Sequence, residues 1–300
     1  MHWLIVGPGA LGQLYGSKLA LHDHSVSFWG RLGEVAPKGY ELIDRQGHTT
    51  AWQTSTIQSS PVDAVLVTTK VFQAEAALRQ LLEQVKLPFS SPIILLHNGL
   101  GNAQAIQTLV PQHPLLLASS RHGALLVQPH RVQHTGEGLT QIGSISPTPH
   151  VQMPVFRALN SALGQVEWCD DIMIQLWQKL IINAVINPLT ARDQVLNGAI
   201  NTPAYHHDVQ QLCTQACEVV QHAGIDICPE QMINTVFDVA TATAHNKSSM
   251  LQDVLHHRTT EIDYINGYIV ACAEQFHVDV PNHQTIVQHI KQIERSYIHL

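Results

Sequence analysis

Trp3-Leu-Ile-Val-Gly-Pro-Gly-Ala-Leu-Gly12 decides the fold of this chain. Four apolar residues read as a buried strand, glycines follow at the spacing Gly7-x-Gly9-x-x-Gly12, and a helical stretch continues to about Leu21. Each glycine has a task that a side chain would obstruct. Gly7 makes a tight turn, Gly9 lets backbone approach a pyrophosphate, and Gly12 lets the helix pack closely on the strand. The phosphates would rest on the helix amino end, where free N–H groups and the macrodipole favour anions. Strand, glycine turn and helix in this order predict a dinucleotide-binding unit, with Gly7, Pro8, Gly9, Ala10, Leu11 and Gly12 as its cofactor-binding turn.

Outward from this turn the same pattern repeats. Ser25–Trp29 reads as a second strand, ending in Gly30-Arg31. A fold selective for NAD places an acid about 20 residues past the glycines, against the ribose hydroxyls. Here the position holds Arg31, with no acid before Glu34. An arginine welcomes a 2′-phosphate, so the expected cofactor is NADP(H). Strands at 63–68 and 92–96 end in Thr69-Lys70 and in His97-Asn98-Gly99-Leu100-Gly101, each followed by a helix. Apolar runs alternating with helices indicate a parallel sheet covered on both faces. Ligands in such sheets bind beyond the carboxyl ends of the strands, where Lys70 and Asn98 stand. Asn98 also suits a plain turn. Short strands at 115–118, 123–128, 131–134 and 139–142 suggest an antiparallel extension of the sheet. A helix over 151–163 and a strand at 166–168 complete a predicted first domain, residues 1–168.

From there to residue 300 the sequence reads as helices, a second domain over 169–300. Leu176-Trp-Gln-Lys-Leu-Ile-Ile-Asn-Ala-Val-Ile-Asn187 carries three polar residues four apart: Lys179, Asn183 and Asn187. Steps of four drift by only about 40° around a helix, so they form one stripe on a segment otherwise apolar and hence buried. Burying an ammonium and two amides is costly unless something polar faces them. Pro188 is expected to kink or end this helix. Further helices are expected at 205–223, 230–245, 249–257, 261–276 and 282–297. Ser249-Met-Leu-Gln252 and Thr260-Glu-Ile-Asp263 read as capping boxes. Ser249 with Asn246 would place a hydroxyl and an amide at a helix start, suited to a carboxylate, although Ser249 is equally an ordinary cap. Glu261 falls in the first turn of its helix, where an acid complements the dipole.

Composition narrows the class. The chain has 300 residues, 45% hydrophobic and 13% charged, with 16 Lys and Arg against 23 Asp and Glu for a net charge of −7. It is globular rather than disordered, long enough for two domains, and offers no basic footprint for nucleic acid or an anionic membrane. Five cysteines without a CxxC pair suggest a reducing, cytoplasmic setting. The first residues read as a strand entering a turn, not a signal peptide, and no apolar run reaches membrane-spanning length. The 20 histidines scatter, mostly as surface residues, and the pairs His206-His207 and His256-His257 lack the context of a metal site.

Taken together, Gly7–Gly12, Leu96–Gly101, Leu176–Thr190, Ser248–Asp253 and Thr260–Gly267 closely resemble the ketopantoate reductase family, nearly end to end. The resemblance implies a Rossmann-type doubly wound sheet with antiparallel extension, plus an all-helical carboxyl-terminal domain of the 6-phosphogluconate-dehydrogenase type. It implies NADPH-dependent reduction of 2-dehydropantoate, a small 2-oxo acid, in pantothenate biosynthesis, and it is compatible with a homodimer. Lys179 becomes the proton donor. Asn98, Asn183, Asn187, Asn197, Asn246 and Ser249 become substrate ligands, Asn98 lying near the cofactor as well. Glu261 sits near nicotinamide and substrate, and Lys70 and Ala124 touch the cofactor. Two departures stand out. Pro8 removes one N–H from the phosphate turn, and Arg121-His-Gly-Ala124 replaces a threonine-rich segment of the family. Burial should depress the Lys179 pKa, and Glu261 nearby should oppose that shift.

Two other readings fit the same architecture. One is an NADPH reductase of another 2-oxo acid, since fold does not fix substrate. The other is an NADP(H)-sensing protein without turnover, which would not need the polar stripe. An NAD-linked sugar-phosphate dehydrogenase would need a basic cluster near that stripe, and the sequence has none there.

Overall fold

A computed structural model describes residues 1–30, 37–145 and 149–297. Contacts divide the chain into two compact units, Met1–His97 with Asn102–Met173, and Asn98–Gly101 with Ile174–Leu300. Arg31 and Glu34 lie outside the described residues.

The first unit begins with β1 (His2–Val6), α1 (Ala10–Ala20) and β2 (Ser25–Trp29). It continues through β3 (Gly39–Ile43), β4 (Thr49–Gln53), β5 (Ala64–Val67), α2 (Val71–Gln84), β6 (Ile93–Leu95), α3 (Ala103–Leu109) and β7 (Leu115–Ser120). Then come β8 (Gly123–Gln128), β9 (Arg131–Gly136), β10 (Thr140–Ser144), α4 (Pro149–Leu163) and β11 (Val166–Trp168). Seven strands form one sheet in the order β11-β10-β7-β6-β5-β1-β2. The run from β2 to β7 is parallel. Every residue of β1 is buried, because both faces of the strand are covered. The chain steps from β1 outward to β2 and then returns to β5 on the other side, so the strand order reverses between β1 and β5. Ligands of such sheets bind at that switch point, past the strand ends.

The antiparallel part divides in two. β10 pairs antiparallel with β7 and extends the main sheet, as the sequence predicts. The β8–β9 hairpin leaves it for a four-stranded sheet of order β4-β3-β9-β8, which the sequence reading did not foresee. α1 is buried on two sides: Tyr15 and Leu19 join the main core with Trp3, Ile5 and Phe28, while Leu14 packs on Leu42 and Val132 of the small sheet. The Trp52 indole N–H donates to Ser17 Oγ at 2.8 Å, tying β4 to the same helix.

The second unit is helical: α5 (Ile172–Asp193, entering this unit at Ile174), a 3-10 turn (Asn197–Asn201), α6 (Pro203–His222), α7 (Pro229–Ala242), α8 (Ser249–Leu255), α9 (Ile262–Phe276) and α10 (Pro281–Ser296). Of the two outcomes expected at Pro188, a kink or an end, the end does not occur: α5 continues five residues beyond it. Two further expectations need correction. The cap of α8 is Ser248, not Ser249: its Oγ accepts from Leu251 N–H at 3.0 Å. Glu261 is the residue before α9 rather than in its first turn, and Thr260 gives its hydroxyl to Glu294 at 2.7 Å instead of completing a capping box. Several histidines are structural rather than superficial; His2, His113, His134 and His283 are buried with ring nitrogens engaged. Among the described residues no helix is long and apolar enough to cross a membrane.

Candidate active site

In the first unit the glycine turn sits at the switch point. Gly7 has φ of +98°, and a Cβ there would lie 2.7 Å from Thr69 Cγ2. A Cβ on Gly12 would overlap the Gly7 carbonyl oxygen. Both positions therefore demand glycine for the turn itself. Gly9 differs: a Cβ there would meet nothing within 4 Å, so the turn needs no glycine there, and a side chain would project into open space beside the helix start. Gly9 caps α1 without a side-chain hydrogen bond and no acid lies in the first turn, so the N–H groups of Ala10, Leu11 and Gly12 stay available. Pro8 costs one donor but holds the turn by accepting from Gln13 Nε2 at 2.8 Å. The Thr68 hydroxyl donates to the Gly7 carbonyl at 2.7 Å, clamping the turn to the end of β5. Lys70 stands just past that strand as the cap residue of α2. Near these strand ends, Thr69 Oγ1 and Trp29 Nε1 are buried without a partner among the described residues. An anion cradle with nearby polar atoms still to be satisfied fits a dinucleotide.

Ala124 lies in β8 and packs beside Leu11 on the Leu14, Leu42 and Val132 cluster. Two residues earlier, the His122 imidazole is held down to about 4 by burial first and by His134 second, the two rings lying 3.3 Å apart from Nδ1 to Nε2. The pair is neutral at neutral pH. It adds no positive charge there.

In the second unit the stripe on α5 is present. Lys179 and Asn183 are half-buried and Asn187 is buried, while Trp177, Leu180, Ile181, Ala184, Val185 and Ile186 fill the core around them. The stripe also reaches one turn earlier than the sequence reading took it, to Gln175, whose Oε1 is buried without a partner among the described residues. The spacing of four would have found it.

The structure brings other predicted residues together in small groups. Asn98 Nδ2 donates to Glu261 Oε2 at 3.4 Å. Asn98 is held there because Leu100 N–H donates to the Tyr264 carbonyl at 3.0 Å, and Gly99, with φ of +84°, has no room for a Cβ against that carbonyl. Glu261 is 4% exposed. Asn197 and Asn246 meet through the backbone, N–H to carbonyl at 3.0 Å. The Asn197 amide donates to Thr243 Oγ1 at 3.0 Å, while its buried Oδ1 is left as an acceptor without a partner among the described residues. Asn246 and Ser249 are exposed. Ser248 is not, and its Oγ meets Thr190 Oγ1 at 2.7 Å. Thr190 in turn lies within 3.0 Å of the Asn187 carbonyl, so the start of α8 is tethered to the end of the stripe. No spacing rule could reveal that bond, because the partners are 58 residues apart.

Comparison with known proteins gives the family. Residues 3–147 match the model of the family described as ketopantoate reductase PanE/ApbA, and residues 171–294 match its carboxyl-terminal model. The chain belongs to the ketopantoate reductase family. It is 34% identical over 297 residues to a 2-dehydropantoate 2-reductase of Vibrio cholerae, covering 99% of each chain. It is 33% identical to that of Escherichia coli O157:H7, covering 98% of this chain and 95% of the relative. Among solved structures, a probable 2-dehydropantoate 2-reductase from Bacillus subtilis superposes with a TM-score of 0.81 at 28% identity, covering 98% of this chain and all of that one. A D-mandelate dehydrogenase in complex with NADH and anilino(oxo)acetate shares the fold with a TM-score of 0.90 at 21% identity, each chain 99% covered. Both family models fall on the segments whose motifs carry the resemblance in the sequence.

Proposed function

We propose that this chain is an NADPH-dependent 2-dehydropantoate 2-reductase that reduces the C2 ketone of ketopantoate to (R)-pantoate. The stripe of Lys179, Asn183 and Asn187 on an otherwise apolar, buried helix carries the reading. It brings an ammonium and two amides to one face of the helix, the kinds of group that hold a 2-oxo acid, and curated relatives named for this reaction match the chain over nearly its whole length.

A bound reduced nicotinamide would supply the hydride, held by the Gly7–Gly12 turn, with Lys70, Asn98, Ala124 and Glu261 as further contacts. As C2 accepts the hydride, negative charge grows on its oxygen. Lys179 stabilises that charge and donates the proton that completes the alcohol, recovering it from solvent afterwards. Asn183 and Asn187 each offer two donors and an acceptor, enough to hold a carboxylate and a hydroxyl together. The lone acceptor Asn197 Oδ1 suits a substrate hydroxyl, and Asn246 and Ser249 suit the carboxylate. Glu261, held by Asn98, orients the groups around the reacting carbon. Arg31 pairs with the 2′-phosphate and selects NADPH over NADH. The molecule then works on a small 2-oxo acid, without nucleic acid, membrane or metal.

The test is oxidation of NADPH by the purified protein with ketopantoate, beside NADH and beside smaller 2-oxo acids. Ketopantoate should give the highest kcat/KM, with NADPH well above NADH. Faster turnover of another 2-oxo acid would reassign the substrate. Arg31→Asp should reduce the NADPH preference by about 1–3 kcal/mol, the worth of a charge-assisted bond; an unchanged cofactor ratio would remove Arg31 from the site.

A further inference from the structure

A proline inside a helix leaves a carbonyl without its donor, and on α5 that carbonyl lies within the substrate-facing turn. Pro188 has no N–H to give to the carbonyl of Ala184, four residues earlier, and proline also disfavours helical backbone at the residue before it, Asn187. The helix nevertheless continues to Asp193. The missing donor comes from another helix: Asn266 Nδ2 in α9 donates to the Ala184 carbonyl at 2.8 Å. Asn266 is fully buried, and its Nδ2 also lies 3.1 Å from His283 Nδ1 in α10. His283, equally buried, places Nε2 3.0 Å from the Leu212 carbonyl in α6. This fixes the tautomer: Nε2 carries the proton and donates to Leu212, leaving Nδ1 to accept from Asn266. The relay Leu212–His283–Asn266–Ala184 joins four helices and ends between Asn183 and Asn187.

We propose that Asn266 and His283 are positioning residues for the substrate, with the Asn266 amide replacing the helix hydrogen bond that Pro188 removes and so fixing the turn that presents Asn183 and Asn187. Resting on the reading of that stripe as the 2-oxo acid site, this assigns a task to the asparagine of Thr260–Gly267, the motif that also carries Glu261. The hydrogen bond missing at Pro188 is thus supplied from outside the helix.

A double-mutant cycle tests it. Pro188→Ala restores the N–H within α5, and Asn266→Leu removes the amide at similar volume. In the Pro188 background Asn266→Leu should raise KM for the accepted 2-oxo acid at least tenfold, with kcat reduced no more than about threefold. In the Pro188→Ala background the same change should raise KM no more than about twofold. Asn266→Ser, run through the same cycle, serves if the leucine variant does not fold. An equal rise in KM in both backgrounds would overturn the proposal, as would a lowered melting temperature with KM unmoved. The cycle uses whichever 2-oxo acid the wild type reduces fastest, so a wrong substrate assignment leaves this test intact.

Discussion

Two turns carry the proposed chemistry, and they are built in opposite ways. Gly7–Gly12 works by absence: side chains are removed so that backbone N–H groups can face an anion, and nearly everything that shapes the turn lies within a few residues of it or at the end of a neighbouring strand. Asn183–Pro188 works by presence: side chains project from a packed helix, and the backbone beneath them is completed by Asn266, 82 residues away from Ala184. A turn of the first kind announces itself in ten residues of sequence. A turn of the second kind shows its polar face and conceals its support.

The largest effect should come from the side-chain turn. Lys179→Ala should lower kcat by about 10²–10⁴, the usual worth of a positioned acid, while NADPH affinity measured by fluorescence stays near wild type. A folded variant with normal kcat would assign the proton to water or Glu261 and leave the stripe as a binding surface only.

The support behind the stripe should be acid-sensitive. Burial holds the His283 imidazole down to about 4, below the ordinary value of 6.5. The unfolded chain therefore binds a proton that the folded chain refuses, and folding stability falls as pH drops from about 6.5 through about 4. One such group contributes on the order of 3 kcal/mol across that window. Urea midpoints at pH 7 and pH 5 check this, and His283→Gln should flatten the dependence. An unchanged slope in that variant would place the acid sensitivity elsewhere, for instance in the His122–His134 pair, whose rings are also held neutral.

Within the backbone turn the glycines should separate. Gly12→Ala drives a methyl into the Gly7 carbonyl and should destabilise the fold by about 1–3 kcal/mol, the range for overpacking. Gly9→Ala meets no protein atom and should cost less than about 1 kcal/mol as a cap change, yet weaken NADPH binding at least tenfold. Calorimetry beside cofactor titration distinguishes them, and wild-type NADPH affinity in Gly9→Ala would mean that the turn does not cradle the phosphates.

The smallest contrast is between adjacent serines. Ser248→Ala should lower stability by about 1 kcal/mol through the lost cap and the lost bond to Thr190. Ser249→Ala should leave stability unchanged and raise KM. The reverse pattern would make Ser248 the ligand.

These contrasts explain what the sequence disclosed. The centre of the main sheet was legible because β1, β5 and β6 are buried on both faces and read as unbroken apolar runs. β3 and β4 were not: in β4 only Trp52 is buried, so no alternation marks the strand. The stripe was legible from its spacing, and the family motifs from their residues. The cap of α8 slipped by one because two consecutive serines offer the same chemistry, and Thr190 chooses between them. Thr260 lost its capping box for the same kind of reason, with Glu294 taking its hydroxyl. Both capping misses were settled by a partner far along the chain, where local pattern carries no information.

The loop Asn98–Gly101 belongs to the helical unit although it is encoded between β6 and α3 of the sheet unit. Leu100 bonds to Tyr264, and Asn98 reaches Glu261. The helical unit is thus not a cassette. A gene fragment beginning at Ile174 would lack Asn98, a hydrogen-bond donor to its own buried glutamate, and a chimera joined at that point would inherit this loop from the other parent. Recombination that keeps residues 98–101 with their helices requires two crossovers rather than one, which ties the inheritance of the two units together.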